Sequence, residues 1–483
     1  MATNSVVAHD RVTSPAGHLA RRSVFIAGLA SLPFLPAMSI NVFHFPGIVN
    51  GWVIAPLAAL TLAPFVGVER LRPDAGSRVL IAMLGTALSL AYVGAPRVWP
   101  IVLLYACLGY LACSCARIAR ARHGRQSPRA AGAEIRSRLP LAWLVTGIIV
   151  LAGAQIAWAL HDGVPTDVGM GSVAGATRIV HGQAVYGESQ AGGEQPHTDT
   201  YGPANYELYV PFAASLSPAG AARIATLFFV FLTALLLFAL GAKRRDTGAG
   251  VAMAYCWLAF PVTAFESSLG FNDALVAASL VAVLLALARP APRGALAAVC
   301  CWTKFSPLAL LPLWATCGGD AKRPRTRSVA AFSVTFVAAT CVIFVPVAAH
   351  NTLATFASRT FGYQSGRVPV DSLWGILWAA NPAWLGVLSR LAHGVLLVAT
   401  AVIAISLPRM NLRRDTAGVA AASAVILIMV EGCLSYFAYS YVLWFAPLVI
   451  VALWLAGDAR APDCDAADSQ APRVRARRRL SPA

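Results

Sequence analysis

Runs of about 17 to 25 apolar residues recur along most of this chain, the length a helix needs to cross a hydrocarbon layer of roughly 30 Å. A helix satisfies its own backbone hydrogen bonds within such a layer, which an irregular segment cannot do. With 58% of 483 residues hydrophobic, only 12% charged and a mean hydropathy of +0.66, a soluble globular fold is excluded. A membrane barrel would need short alternating strands, and none is legible. The expected fold is therefore all-α and polytopic.

Basic loops set the threading, because Lys and Arg concentrate on the cytoplasmic side. Helices are expected near 23–42, 51–67, 78–95 and 99–116, with cytoplasmic returns at ERLRPDAGSR and at RIARARHGRQSPRAAGAEIRSR. A helix near 139–160 then exits into a long outward loop, 161 to about 204, in which Arg178 is the lone strong base. Helices near 220–241, 249–265, 273–288, 328–347, 383–407, 417–435 and 441–457 complete twelve crossings, and residues from 348 to the low 380s form a second long outward loop.

The stretch AAVCCWTKFSPLALLPLW, 297–314, breaks this alternation, because basic residues flank it on both sides. Crossing once over 294–316 would invert every later loop. A short re-entrant helical hairpin turning at Lys304-Phe305-Ser306-Pro307 keeps them all inside, and Pro307 suits the start of the second limb because it has no amide hydrogen to donate. Lys304 then sits near the outward edge or in a cavity, either snorkelling to the interface or meeting a phosphate.

The net charge of +17 is explained by short cytoplasmic loops and the tail RVRARRR as topology signal and anionic-lipid contact, so no nucleic acid is called for. The ten cysteines carry no CxxC pair, and neither disulfide nor metal site is expected. His197 and Asp199 lack a third ligand at useful spacing, so loop polarity is the better account of them. The apolar stretch after Arg22 has the short length of a signal peptide, but the later spans favour an uncleaved first helix.

Chemistry is expected on the outward side, where two long loops meet the hairpin tip. Asp167 stands just beyond a helix exit, followed by a short helix, Ser172 to His181, then Tyr186 and Tyr201-Gly202-Pro203. From spacing alone Asp167 is either a helix N-cap or a reactive carboxylate. Asn272 and Asp273 are an N-cap or a substrate contact. Arg359 and Arg367 are exposed loop charges or phosphate partners. Glu431 faces Arg390 as a structural pair or meets substrate, with His393 adding polarity nearby. Trp374 and Trp378 are expected as membrane anchors rather than a sugar platform.

The order Asp167, Arg178, Gly182, Tyr186 and TYGP resembles the first extracytoplasmic loop of glycosyltransferase family 87. GFNDALVAASL followed by CCWTKFSPLALLPLW resembles that family's polar-capped helix and K-x-x-P hairpin, and YSYVLWFAP is similar to its late Y-x-x-W-x-x-P helix. The resemblance covers roughly 140–457. Two departures are Gly202 before the proline and Val168-Gly169-Met170 where an aromatic usually follows the aspartate.

The resemblance implies a GT-C-like membrane domain over 139–457, preceded by a four-helix extension over 1–138 and followed by a basic disordered cytoplasmic tail over 458–483. It implies an inverting transfer of a mannose- or arabinose-like sugar from a polyprenyl-phosphate donor to a glycan or glycolipid acceptor, at the outer face of a bacterial inner membrane. Asp167 would be the base. Lys304 with Arg359 or Arg367 would hold phosphate, Arg178, Tyr186, Tyr201, Asn272 and Asp273 would contact substrate, and no cofactor is expected. A transporter or flippase of lipid-linked sugars, or a noncatalytic membrane scaffold, remains as the alternative.

Overall fold

The structure is a computed structural model that describes residues 99–120, 139–161, 165–187, 199–317, 325–367, 372–378, 383–410, 414–436 and 438–456. The helices expected near 23–42, 51–67 and 78–95, and the tail 458–483, lie outside the described residues. Among those described the chain is helical, with no strand.

Chain order runs through α1 (Trp99–Arg120), α2 (Leu141–His161), a short helix α3 (Asp167–Val180), α4 (Pro203–Ala213), α5 (Pro218–Arg244), α6 (Thr247–Ala259), α7 (Pro261–Leu269), α8 (Asp273–Leu285) and α9 (Pro290–Thr303). A short return limb, Ser306–Thr316, leads to α10 (Arg325–Ile343). Short helical pieces over 345–366 and Leu373–Trp378 precede α11 (Ala383–Ser406), α12 (Thr416–Gly432) and α13 (Val442–Leu455). Four described helices, α2, α5, α10 and α11, are long and apolar enough to cross a membrane, or five spans if α6 and α7 count as one.

Local chemistry sets the boundaries. Proline opens α4, α5, α7 and α9, where its missing amide costs nothing. Asp246 and Asp415 cap α6 and α12 through the amides of Ala249 and Gly418, at 2.8 and 2.9 Å. The run 249–265, expected as one crossing, breaks at Phe260 because Pro261 cannot donate back, and its two halves meet at 58°. Gly270 closes α7 in the left-handed region at φ +65, its amide donating to the Glu266 carbonyl at 3.1 Å.

Helices α8 and α13 are apolar around their whole circumference and form the bundle centre. By contrast α2, α10 and α11 leave one apolar face bare, as with Trp143, Val334 and Val395, which suits them to the lipid boundary.

The chain reverses direction after α9. The Thr335 hydroxyl donates to the Ala291 carbonyl, and the Trp302 indole donates to the Thr340 hydroxyl, each at 2.8 Å. Thus α9 and α10 run parallel, so the chain between them must come back along the bundle. Ser306–Thr316 is that return, and Cys317 ends beside Arg293, near the start of α9. Lys304, extended at φ −138 and ψ 148, stands at the turning point.

Candidate active site

Because α9 stops at Thr303, the Lys304 side chain leaves the helix and enters the space above α8. Its ammonium pairs with Asp273 Oδ1, with Lys304 8% and Asp273 1% exposed. The same oxygen accepts the Trp444 indole proton at 2.6 Å. Rings of Tyr201, Tyr441 and Trp444 surround the ammonium at 5.4, 5.5 and 5.3 Å from their centroids. Tyr441 and Trp444 stack at 4.3 Å. Their negative faces take over part of the solvation that burial removes from the cation.

Asp273 is held in place by a residue that sequence reasoning missed. Glu266, on α7, accepts the Ala274 amide at 2.7 Å and so caps α8 from outside it. Asn272, expected as a cap, makes no side-chain cap bond. Its amide nitrogen donates instead to Ser172 Oγ and Asn205 Oδ1, each at 3.0 Å, and Asn205 Nδ2 donates to Ser172 Oγ at 3.0 Å. This buried knot ties α3, α4 and the start of α8 together. A lone acid in an apolar run, seven residues before Asp273, was the available signal for Glu266.

The TYGP segment lies against the turning point. Gly202 donates its amide to the Thr303 carbonyl at 3.2 Å, and a Cβ there would meet the Trp302 carbonyl oxygen at 2.0 Å. Only glycine permits that approach, which gives a physical reason for the residue before Pro203. Tyr201 therefore reaches the Lys304 ammonium. Burial pushes its phenol well above the ordinary value, and the charges of Tyr441, Tyr206, Asp167 and Asp273 add to the rise.

Three residues expected at substrate act behind it. Tyr186 is buried and donates its hydroxyl to the Tyr201 carbonyl at 2.8 Å. Arg178 is buried and donates to the Val185 carbonyl at 3.0 Å, bracing the turn after α3. Arg359, expected at phosphate, is instead paired bidentately with Asp199 at 2.7 and 2.8 Å. Asp199 also accepts the Gly187 amide at 3.0 Å, while Arg359 donates to the Gly187 carbonyl at 3.3 Å. Asn351 completes the seam by exchanging both amide bonds with the backbone of Tyr186. With Asp199 so engaged and His197 outside the described residues, the structure adds nothing to the His197-x-Asp199 pair as a metal site.

Asp167 and Arg367 occupy the rim. Asp167 is exposed and opens α3, five residues earlier than the expected start of that helix. It is not the N-cap, which is Thr166, and its Oδ1 accepts the Val168 amide at 2.9 Å. Gly169 lets the start of α3 sit on the Gly270 turn, where a Cβ would come within 1.9 Å of the Gly270 oxygen. Arg367 has no carboxylate partner among the described residues. It lies 3.4 Å over the Tyr436 ring and 5.6 Å from that of Tyr363, with Nη1 at 3.5 Å from both the Tyr441 hydroxyl and Gln364 Oε1. Tyr441 thus stands between Arg367 and Lys304.

On the α11 side several expectations are corrected. Arg390 is exposed while Glu431 is fully buried with neither oxygen hydrogen-bonded among the described residues, so the pair does not form. Trp374 is no membrane anchor: it is buried, with its indole on the Gly432 carbonyl at 2.8 Å. His393 lies between Trp374 and Trp378, at 4.7 and 5.3 Å, with Nε2 at 2.6 Å from the Cys433 carbonyl.

Residues 200–435 match the model of glycosyltransferase family 87, which supports the family to which the motifs point and indicates a glycosyltransferase. The match takes in just under half of the chain. It includes Tyr201, Asn272, Asp273, Lys304 and Arg367, while Asp167 precedes it and Tyr441 and Trp444 lie beyond its end. No curated protein matches the chain.

Proposed function

We propose that this glycosyltransferase moves a mannose- or arabinose-like sugar from a polyprenyl-phosphate donor to a glycan or glycolipid acceptor, inverting the anomeric carbon, at the outer face of a bacterial inner membrane. The observation that carries this is the placement of Lys304. A cation at the tip of a chain reversal, ringed by three aromatic residues and with Arg367 across Tyr441, suits a phosphate arriving from the lipid side.

An acceptor hydroxyl attacks the anomeric carbon as the bond to the phosphate oxygen breaks. The phosphate leaves as an anion, stabilised by Lys304 and Arg367, and needs no proton. The hydroxyl proton goes to Asp167, whose exposed position at the rim leaves room for an acceptor from outside. One carboxylate suffices, in contrast with glycoside hydrolysis, which uses a pair. Asn272 and Asp273, both buried, serve the substrate through the groups they hold, Asp273 by positioning Lys304 and Asn272 by fixing α3 and α4. Tyr201 borders the ammonium, and Arg178, Tyr186 and Arg359 hold that border in place.

The test is a transfer assay in membranes that offers a panel of labelled polyprenyl-phosphate sugars to the wild type and to Asp167→Asn at matched abundance. Product from the wild type alone supports the assignment and names the donor. Equal product from both removes Asp167 from the mechanism. No product from either, with labelled donor moved across sealed vesicles, would replace transfer by transport.

A further inference from the structure

The opposite end of the same reversal carries a feature that sugar transfer does not use. Because α9 and α10 run parallel, their N-terminal turns lie side by side. The first turn of α10 carries backbone amides that have no intrahelical acceptor, whereas Pro290 and Pro292 leave α9 to contribute only the Ala291 amide and an apolar wall. Between them is a cavity of about 280 Å³ lined by Pro290, Arg327, Ser328 and Ala331. Ser328 is 6% exposed, and its hydroxyl has no hydrogen-bond partner among the described residues. A buried hydroxyl in that state is short of a partner. The Arg327 side chain is exposed, and no carboxylate pairs with it among the described residues. Unpaired amides, a free hydroxyl and a guanidinium together make an anion site.

The surface of α10 beyond this cavity narrows the choice of anion. At 100° per residue, Arg327, Ala331, Val334 and Val342 fall on one face. That face is bare and apolar, with Val334 67% and Val342 70% exposed. A free phosphate would use the polar mouth and leave the stripe idle, whereas a lipid fills both.

We propose that the first turn of α10, walled by Pro290 of α9, binds the phosphate group of an anionic phospholipid, with Arg327 and Ser328 on the phosphate and an acyl chain along Ala331, Val334 and Val342. The site is independent of the sugar-transfer assignment.

Native mass spectrometry of the purified full chain, titrated with phosphatidylglycerol and with phosphatidylcholine, tests it. The wild type is expected to retain one phosphatidylglycerol preferentially. Arg327→Gln should weaken that retention about tenfold, the loss of a charge-assisted contact. Ser328→Asp should abolish it while leaving the melting temperature unchanged or higher, because a carboxylate suits a helix's first turn as it repels an anion. Equal retention of the two lipids, or variants that retain phosphatidylglycerol as the wild type does, would overturn the proposal. Full displacement of phosphatidylglycerol by millimolar inorganic phosphate would instead identify a soluble-anion site and overturn the lipid assignment. Should Ser328→Asp not fold, the exposed Arg327→Gln decides alone.

Discussion

Lys304 and Asp273, 31 residues apart in sequence, form a buried ion pair on which α7, α8, α13 and the TYGP segment converge. Trp444 from α13 shares the same carboxylate oxygen, Tyr201 from the first long loop covers the ammonium, and Glu266 fixes the helix end that bears Asp273. Since a buried charge left alone is costly, the pair's value lies in its being intact.

Removing either partner should therefore be strongly destabilising. Lys304→Gln and Asp273→Asn are each expected to lower stability by about 3 to 5 kcal/mol, and the double variant by clearly less than their sum. Denaturant titration in detergent measures this, and strictly additive losses would show that the two groups do not depend on each other.

Asp167 should behave in the opposite way. Its side chain is exposed and, among the described residues, bonds only the amide next to it, so Asp167→Asn should change stability by no more than about 0.5 kcal/mol. Transfer should fall by about 10² to 10⁴-fold if it is the base. A variant that melts normally and transfers normally would exclude it from the chemistry.

The two loop arginines should separate cleanly. Arg359→Gln and Asp199→Asn break one shared clasp and should lower the melting temperature by the same amount, with a double variant no worse. Arg367→Gln should barely alter melting but raise the KM for a phosphate-bearing donor by about tenfold. Reversal of these two patterns would exchange their roles.

Gly202→Ala places a methyl group against the Trp302 carbonyl and should push Tyr201 away from Lys304. Loss of transfer with a lowered melting temperature is expected. Gly182→Ala, a control with open space around it but φ +64, should cost about 1 kcal/mol through backbone strain alone, with transfer retained.

Stability should also depend on pH through Glu207 on α4, whose carboxyl is pushed by burial from its ordinary 4.5 up to about 7. Between those values the folded chain holds a proton that the unfolded chain has lost, so stability falls as pH rises through that window and levels off above it. Glu207→Gln should flatten the melting temperature between pH 5 and 8. An unchanged slope in that variant would assign the dependence to another group.

The all-helical character was legible because apolar runs under a membrane must be helices, and the basic loops demanded a reversal near Lys304. Of the expected crossings, four or five among the described residues are long and apolar enough to span, while those near 273–288, 417–435 and 441–457 are shorter apolar helices. The break at Phe260 was not legible, since 249–265 reads as one apolar run and only Pro261 marks the bend. Lys304, Asp273 and Tyr201 stood out as polar groups beside apolar segments. That they meet one another depends on helix packing, which no local spacing encodes. The clasp of Arg359 was hidden for the same reason, its partner Asp199 lying 160 residues upstream. Asn205 and Ser172 were overlooked because each looks like an ordinary polar residue in its own segment, whereas Glu266 stood out as a lone acid but its partner, the Ala274 amide, lies across the Gly270 turn.

The return limb Ser306–Thr316 separates the place of Lys304 from the threading of everything that follows it. Lengthening or shortening a helix that crosses once would shift every loop after it, but a segment that comes back to where it started can change its reach without disturbing the helices downstream. Descendants of this chain can therefore lengthen, shorten or reshape the limb beyond Lys304 while Asp273 keeps the cation where it is, so sequence change is free to gather in the return and not at the pair.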